Sequence, residues 1–189
     1  MFRVVLFLMM FAFSSSLFAL EKSEIESQMN QKIQEVLGIL RVDGATTEQK
    51  GKEIVEIMDE VFDFDLMAKI ALGKNAWNSI DRSKQDEFSK VFEQKLKDSY
   101  IEKLELYNNQ TIDILSLEPN GKNRLLLKTL IRGKDDNYEV NYNFYDKNGD
   151  WLIYDVDLVG VSIIQTYRAQ FADALKQKSF EDMFAEFRK

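Results

Sequence analysis

Apolar residues in the first half of the chain recur every three or four positions, which is the period of an α-helix. This pattern predicts a first helix that ends near Asp43-Gly44 and a second over residues 47–62. A short third helix is expected between Phe62 and Gly73. Ser83 and Asp86 have the spacing of an N-terminal cap and predict a long helix that reaches Tyr107. The apolar stripe of the first helix consists of Ile25, Met29, Ile33, Val36, Leu37 and Leu40.

After Gln110 the period changes to two, which is typical of strands with one buried face. The alternation is cleanest over residues 138–144. Short polar turns separate four such segments and therefore predict an antiparallel meander. A closing helix is expected after Ser162, and a last helical segment is expected to begin at a Ser179 cap.

Helices that precede a sheet with one apolar face, followed by a closing helix, predict the α+β class. We expect helices packed on a curved four-stranded antiparallel sheet, an architecture that can enclose an apolar pocket between its layers. The aromatic stripe of the long helix suits the wall of such a pocket and an ordinary core equally well. Periodicity alone does not choose between them.

The N-terminal segment has the pattern of a secretory signal peptide. Arg3 precedes an apolar run over residues 4–13, and small residues precede a plausible cleavage site after Ala19. The run is shorter than the roughly 20 apolar residues of a membrane span. We therefore predict a signal peptide over residues 1–19 and a single exported domain over residues 20–189.

The composition excludes several classes of chemistry. The chain of 189 residues contains no cysteine and no histidine, which argues against Ser-His or Cys-His nucleophiles and structural zinc. Removal of the predicted signal peptide would remove Arg3 and leave 24 basic and 32 acidic residues. The resulting net charge of −8 argues against nucleic-acid binding. No catalytic residue, metal or cofactor is predicted.

Carboxylate chemistry remains open at two acidic pairs, Asp63 with Asp65 and Asp155 with Asp157. Residues two apart in a strand share a face, so the second pair could converge for general acid–base work or a calcium site. The competing interpretation is that these side chains are solvated or cap neighbouring backbone. For Asp63 and Asp65 we expect capping of the short helix that follows.

Several segments resemble, in the same order, the MlaC family of periplasmic phospholipid-binding proteins, also called the toluene-tolerance Ttg2 auxiliary component. The resembling stretches are residues 62–73 with Trp77, residues 88–100 with Leu104 and Tyr107, residues 151–156, and residues 160–162 followed by Tyr167-Arg168 and Phe171. The resemblance implies a deep apolar pocket for lipid tails in a carrier that has no catalytic residue. Such a carrier works in the periplasm and maintains outer-membrane lipid asymmetry.

The resemblance also implies partners and lining residues. The ligand would be a phospholipid, passed between an outer-membrane MlaA-like lipoprotein complex and the inner-membrane MlaD-type protein of an ABC transporter complex. Arg168 is a candidate for the lipid head group, with a surface ion pair as the alternative. The candidate lipid-binding residues are Phe88, Phe92, Leu96, Tyr100, Leu127, Val140, Tyr142, Phe144, Val156, Val161, Ile164 and Tyr167.

Two other functions stay open at this point. One is a small-molecule enzyme with a cone-shaped α+β pocket that uses Asp155 or Asp157 as a base. The other is an envelope interaction module with a filled core and no ligand. A carboxylate inside the cavity would favour the first, and the absence of an apolar cavity would favour the second.

Overall fold

The computed structural model describes residues 22, 24–134 and 136–189. The predicted signal peptide over residues 1–19 lies outside the described residues. Seven helices and five strands follow one another in the described part. The helices are α1 (Ile25–Leu40), α2 (Thr47–Val61), α3 (Phe64–Leu72), α4 (Lys74–Ser79), α5 (Arg82–Lys103), α6 (Ile163–Ala174) and α7 (Phe180–Phe187), with a short 3-10 turn over Leu104–Leu106. None of these helices is long and apolar enough to cross a membrane.

The strands form one antiparallel sheet in the order in which they occur along the chain. They are β1 (Thr111–Pro119), β2 (Arg124–Arg132), β3 (Asn137–Lys147), β4 (Asp150–Leu158) and β5 (Val161–Ser162). The class is therefore α+β, as predicted, but the predicted strand number of four is wrong. The fifth strand has only two residues, too few for a periodic signal, and it forms because the tight turn after Leu158 brings Val161 back beside β4.

Local capping explains most helix boundaries. The Asp63 and Ser179 side chains accept hydrogen bonds from backbone amides at the starts of α3 and α7, so both predicted caps are confirmed. Asp65 instead lies within the first turn of α3. The predicted cap at Ser83 is wrong, because Asp81 accepts from the Lys84 amide and starts α5 two residues earlier. The first helix ends at Leu40 and α5 ends at Lys103, both before the predicted ends.

The apolar residues divide into two clusters. The sheet cluster joins one face of β2, β3 and β4 to α1 and the end of α2, and the helical cluster joins α3, α4, α5, α6 and α7. Phe62 packs against both clusters. The buried members of the sheet cluster are Ile25, Met29, Val61, Leu125, Leu127, Phe144, Trp151 and Ile153.

Asp63 connects the two clusters through hydrogen bonds. Its carboxylate accepts from the Leu66 amide of α3 at 2.9 Å, from Lys147 Nζ of β3 at 2.7 Å, and from the Tyr145 hydroxyl. Its amide donates to the Ile153 carbonyl of β4. Burial by itself raises the pKa of Asp63, but these hydrogen bonds outweigh burial and hold the pKa below its usual value.

A second buried charge ties α2, α3 and α5 together. Lys97 pairs with Asp59 and Glu93, and its Nζ lies 4.9 Å from the centroid of the Phe64 ring. Burial by itself lowers the pKa of Lys97, but the two carboxylates outweigh it and raise the pKa. The buried cation is therefore fully compensated, as a charge in this environment must be.

Replacing Asp63 with Asn tests this junction. Asn keeps a capping oxygen but loses the charge that Lys147 and Tyr145 face, so we expect the free energy of unfolding to fall by about 1–3 kcal/mol at neutral pH. Because the folded pKa lies below 3.8, the wild-type advantage is full above that value and disappears as the pH falls through the folded pKa. Denaturant titrations at several pH values measure both effects. The exposed Asp65→Asn variant is the control, with an expected change within about 0.5 kcal/mol.

Gly51 tests the crossing of α2 and α5. A Cβ at this position would lie 2.8 and 2.9 Å from Cγ1 and Cγ2 of Ile101. In a helix, Ala is more favourable than Gly by roughly 1 kcal/mol, but the cost of overpacking against Ile101 exceeds this gain. Gly51→Ala is therefore expected to lower the free energy of unfolding by about 1–2 kcal/mol. Gly38 in α1 has no atom within 4 Å of such a Cβ, so Gly38→Ala should raise stability by about 0.5–1 kcal/mol. Equal effects of the two variants in thermal unfolding would contradict this interpretation.

Candidate functional site

The candidate site lies on the apolar face of the sheet, where the strand register places side chains in rows. Leu125, Phe144 and Ile153 form one row, and Leu127, Tyr142 and Val156 form the next. Exposure rises along β4, from 0% at Ile153 through a partly buried Val156 to 45% at Leu158. The helices therefore cover one end of this face more completely than the other.

Tyr142 and Tyr100 mark the less covered part of the face. Tyr142 projects from β3 between the partners Leu127 and Val156, and Tyr100 belongs to the last turns of α5. Burial raises the pKa of each hydroxyl, and the pKa of Tyr142 is raised further by the nearby Tyr100. Yet 37% of the Tyr100 surface is accessible. Tyr100 is thus partly accessible at the end of α5.

Neither of these hydroxyls has a hydrogen-bond partner among the described residues. In contrast, the Tyr145 hydroxyl donates to Asp63, and the Tyr107 hydroxyl accepts from Arg41. Every fully buried side-chain nitrogen or oxygen in the described part of the chain has a partner. The Tyr142 hydroxyl is therefore not fully buried.

Five of the predicted site residues belong to the helical cluster or pack against it. Phe88, Phe92 and Ile164 are fully buried there, and Tyr167 packs against Phe92 with ring centroids 5.1 Å apart. Rings from α6 and α7 surround Phe88 and Phe92, among them Phe171, Phe184 and Phe187. These side chains are packed against other side chains of the protein. Leu96 packs at the edge of the same cluster.

The remaining predicted residues are distributed along the sheet and the start of α6. Leu127 and Phe144 are fully buried in the sheet cluster, and Val140 is buried farther along β3. Val161 is 60% exposed in β5. The Arg168 guanidinium donates to the Ile70 carbonyl at 3.3 Å, so it packs at the end of α3. The structure brings Leu127, Tyr142 and Val156 together in one row and places the others elsewhere.

The paired aspartates of β4 have separate partners. Asp155 accepts hydrogen bonds from the Ser162 hydroxyl and from the amides of Val156 and Ile164, and so holds the start of α6. Burial raises the pKa of Asp155, and these donors oppose the shift. Asp157 accepts from Asn143 instead. Among the described residues, no group of acidic side chains is arranged to hold a metal ion.

An open groove of about 730 Å³ lies between α1 and β1, away from the predicted site residues. Its lining includes Glu26, Ser27, Asn30 and Gln34 of α1. This polar wall does not suit acyl chains. The enclosed apolar pocket expected from the sequence therefore stays a prediction.

The sequence did not indicate the roles of Asp63 and Lys97 as buried connections, nor the part of Ile25 and Met29 in covering the sheet. Ile25 and Met29 belong to the apolar stripe of α1, and that stripe was the sequence feature that could have indicated their role. The two buried charges are not apparent from a single sequence, because Asp59 and Lys97 lie on different helices and the side chains that bond to Asp63 lie on a distant strand.

 Tyr145, for example, follows Asp63 by 82 positions, and only folding brings the two side chains together.

The fold and the site together define an α+β protein in which helices cover an apolar sheet face more completely at one end than at the other. The sequence model of a known family, described as "MlaC protein", matches residues 30–189. The chain belongs to the MlaC family.

Two individual proteins are similar to the chain. The toluene tolerance protein ttg2D of Pseudomonas putida is 25% identical over 122 residues, which cover 64% of this chain and 57% of that protein. The chain thus spans little more than half the length of this relative. A solved structure of a phospholipid-binding protein from Ralstonia solanacearum, in complex with a phospholipid, superposes with a TM-score of 0.69 at 18% identity. That match covers 80% of this chain and 87% of the other, and shows a shared fold.

Alanine substitutions distinguish core residues from residues that border open space. Phe92→Ala removes a fully buried ring from the helical cluster and is expected to lower the free energy of unfolding by about 3–5 kcal/mol. Val156→Ala removes two methyl groups from a partly accessible side chain, and we expect a loss of about 1 kcal/mol or less. Urea unfolding measures both. A loss at Val156 as large as that at Phe92 would mean that the Val156 side chain is packed as tightly as a core residue.

Proposed function

We propose that the protein is a non-enzymatic phospholipid carrier of the periplasm. It moves phospholipid between an outer-membrane MlaA-like lipoprotein complex and the inner-membrane MlaD-type protein of an ABC transporter complex, and thereby maintains outer-membrane lipid asymmetry. The observation that carries the proposal is the partly open apolar row Leu127–Tyr142–Val156, on a fold shared with a protein that was solved with a phospholipid. Family membership and the signal-peptide pattern of the N-terminus support the location and the partners.

The acyl chains lie, in this proposal, between the middle rows of the sheet face and the last turns of α5. Burial of one methylene contributes roughly 0.8 kcal/mol, so about thirty methylenes represent roughly 24 kcal/mol relative to water. Release into water is then negligible. Exchange with a bilayer or another lipid-binding protein is close to neutral, because the tails stay buried throughout, and delivery therefore requires docking on a partner.

The enzyme alternative has less support than the carrier. Asp155 is the carboxylate with a raised pKa, but the Ser162 hydroxyl and two backbone amides already donate to it. Asp157 accepts from Asn143 rather than sharing a ligand with Asp155. Both side chains thus have structural partners, and we assign them to the junction of β4 with α6.

Native mass spectrometry tests the carrier. The protein is produced with its own N-terminal segment, purified from the bacterial envelope without detergent, and weighed before and after lipid extraction. We expect a bound species of phospholipid mass that Val156→Glu abolishes, because a carboxylate on this face penalises the burial of acyl chains.

The matched control is Leu130→Glu, which places the same charge at a partly buried position on the opposite face of the sheet. This variant should keep its lipid. Wild-type protein that carries no lipid and takes none from phospholipid vesicles would overturn the proposal and favour the interaction-module alternative.

A further inference from the structure

Strand β1 stands at one end of the sheet order and leaves its outer edge open. In the described part of the chain, only β2 pairs with it. In an antiparallel pair, alternate residues direct both backbone groups away from the neighbouring strand, so β1 presents amide donors and carbonyl acceptors at this edge. A register shift between Ile114 and Ser116 and the terminal Pro119 interrupt the second half of the strand. The segment over residues 111–114 is regular, and it is the part that another strand can join.

The open groove beside this edge has space for an extended chain. It has a volume of about 730 Å³ and lies between α1 and the first half of β1. Ile112 and Ile114 line it from the strand, and they share a face because they are two positions apart. Asn30 and Gln34 line it from α1, and their side-chain amides can both donate and accept hydrogen bonds. The groove thus combines apolar contacts at alternate positions with a polar wall, which suits the alternating side chains of a strand.

The charge of the groove indicates which kind of segment fits. Among the described residues, its lining contains the carboxylates of Glu26 and Asp113 and no basic side chain. Arg132 pairs with Asp113, whereas Glu26 is exposed in the first turn of α1. A second copy of this chain, whose net charge is −7, would bring its own Asp113 and Glu118 to the edge and is therefore disfavoured. The same charges favour a segment that contains lysine or arginine.

We propose that the outer edge of β1 binds an extended segment of a partner protein by strand addition. The segment pairs with residues 111–114 and places apolar side chains at alternate positions against Ile112 and Ile114. It carries at least one lysine or arginine, which faces Glu26. Backbone hydrogen bonds supply affinity, and the alternate side chains supply specificity. The groove lies away from the proposed lipid site, so this binding does not depend on the carrier function.

Selection from a random library of decapeptides displayed on phage provides the probe. The protein, produced with its own N-terminal segment, is immobilised, and the enriched sequences are synthesised as free peptides. We expect β-branched or aromatic residues at every second position together with a lysine or arginine. When such a peptide binds, hydrogen exchange of the amides over residues 111–114 should slow. A library that yields no binding peptide, or peptides that leave exchange in β1 unchanged, overturns the proposal.

Two N-methylated forms of an enriched peptide test the backbone pairing. One form carries methyl groups on the amides of its odd residues and the other on those of its even residues, so only one form loses the donors that face β1. We expect one form to bind like the parent peptide and the other to bind at least roughly fivefold more weakly, because the methyl groups remove hydrogen bonds to the strand. Equal affinities of the two forms contradict strand addition.

Glu26→Lys tests the charge of the groove. This variant is expected to bind a lysine-containing peptide roughly threefold or more weakly at low salt, because attraction becomes repulsion. The matched control is Glu35→Lys, about two and a half turns further along α1 and so on its opposite side, outside the groove lining. It should keep the wild-type affinity. Equal losses in the two variants overturn the proposal, as does a dimer that forms without peptide and protects the same amides of β1, since a second copy would then occupy the edge.

Discussion

Asp63 joins the two apolar clusters of this protein, and the relative placement of helices and sheet depends on it. Its carboxylate caps α3 and accepts hydrogen bonds from Tyr145 and Lys147 of β3, while its amide pairs with Ile153 of β4. A chain without cysteine has no disulfide with which to fix this junction. The buried carboxylate is stabilising here because each of its interactions crosses from a helix to a strand or satisfies a helix terminus.

The two clusters have different roles. The helical cluster is a packed aromatic core in which rings from α5, α6 and α7 contact one another. The sheet cluster is covered by α1 and the end of α2 at one end, and it becomes accessible toward Leu158. A rigid helical core beside a partly uncovered apolar face is the arrangement that a lipid carrier requires. In the proposed carrier, the aromatic core keeps its shape when the ligand leaves, and the sheet face provides apolar area for the tails.

Apolar area and polar groups contribute differently to the proposed site. Burial of methylenes supplies affinity, but it depends little on what joins the tails together. Hydrogen bonds add little affinity and discriminate strongly, because an unsatisfied donor is costly.

The fold class, the alternation over β3, the caps at Asp63 and Ser179, and membership of the MlaC family could all be predicted from the sequence. These features depend on local periodicity and on neighbouring backbone groups, so they are readable over a few residues. Even some local signals were ambiguous, since both Asp81 and Ser83 are good capping residues and only Asp81 is used.

Tertiary packing determines which aromatic residues fill a core and which stay accessible to solvent. Phe92 and Tyr100 belong to the same helix, yet Phe92 is surrounded by rings of α6 and α7, and Tyr100 is exposed to solvent over about a third of its surface. The same holds for Asp155, whose partners Ser162 and Ile164 are brought to it by the turn after β4. The physical reason is that burial is a property of what packs opposite a side chain, and those partners lie far away in the sequence.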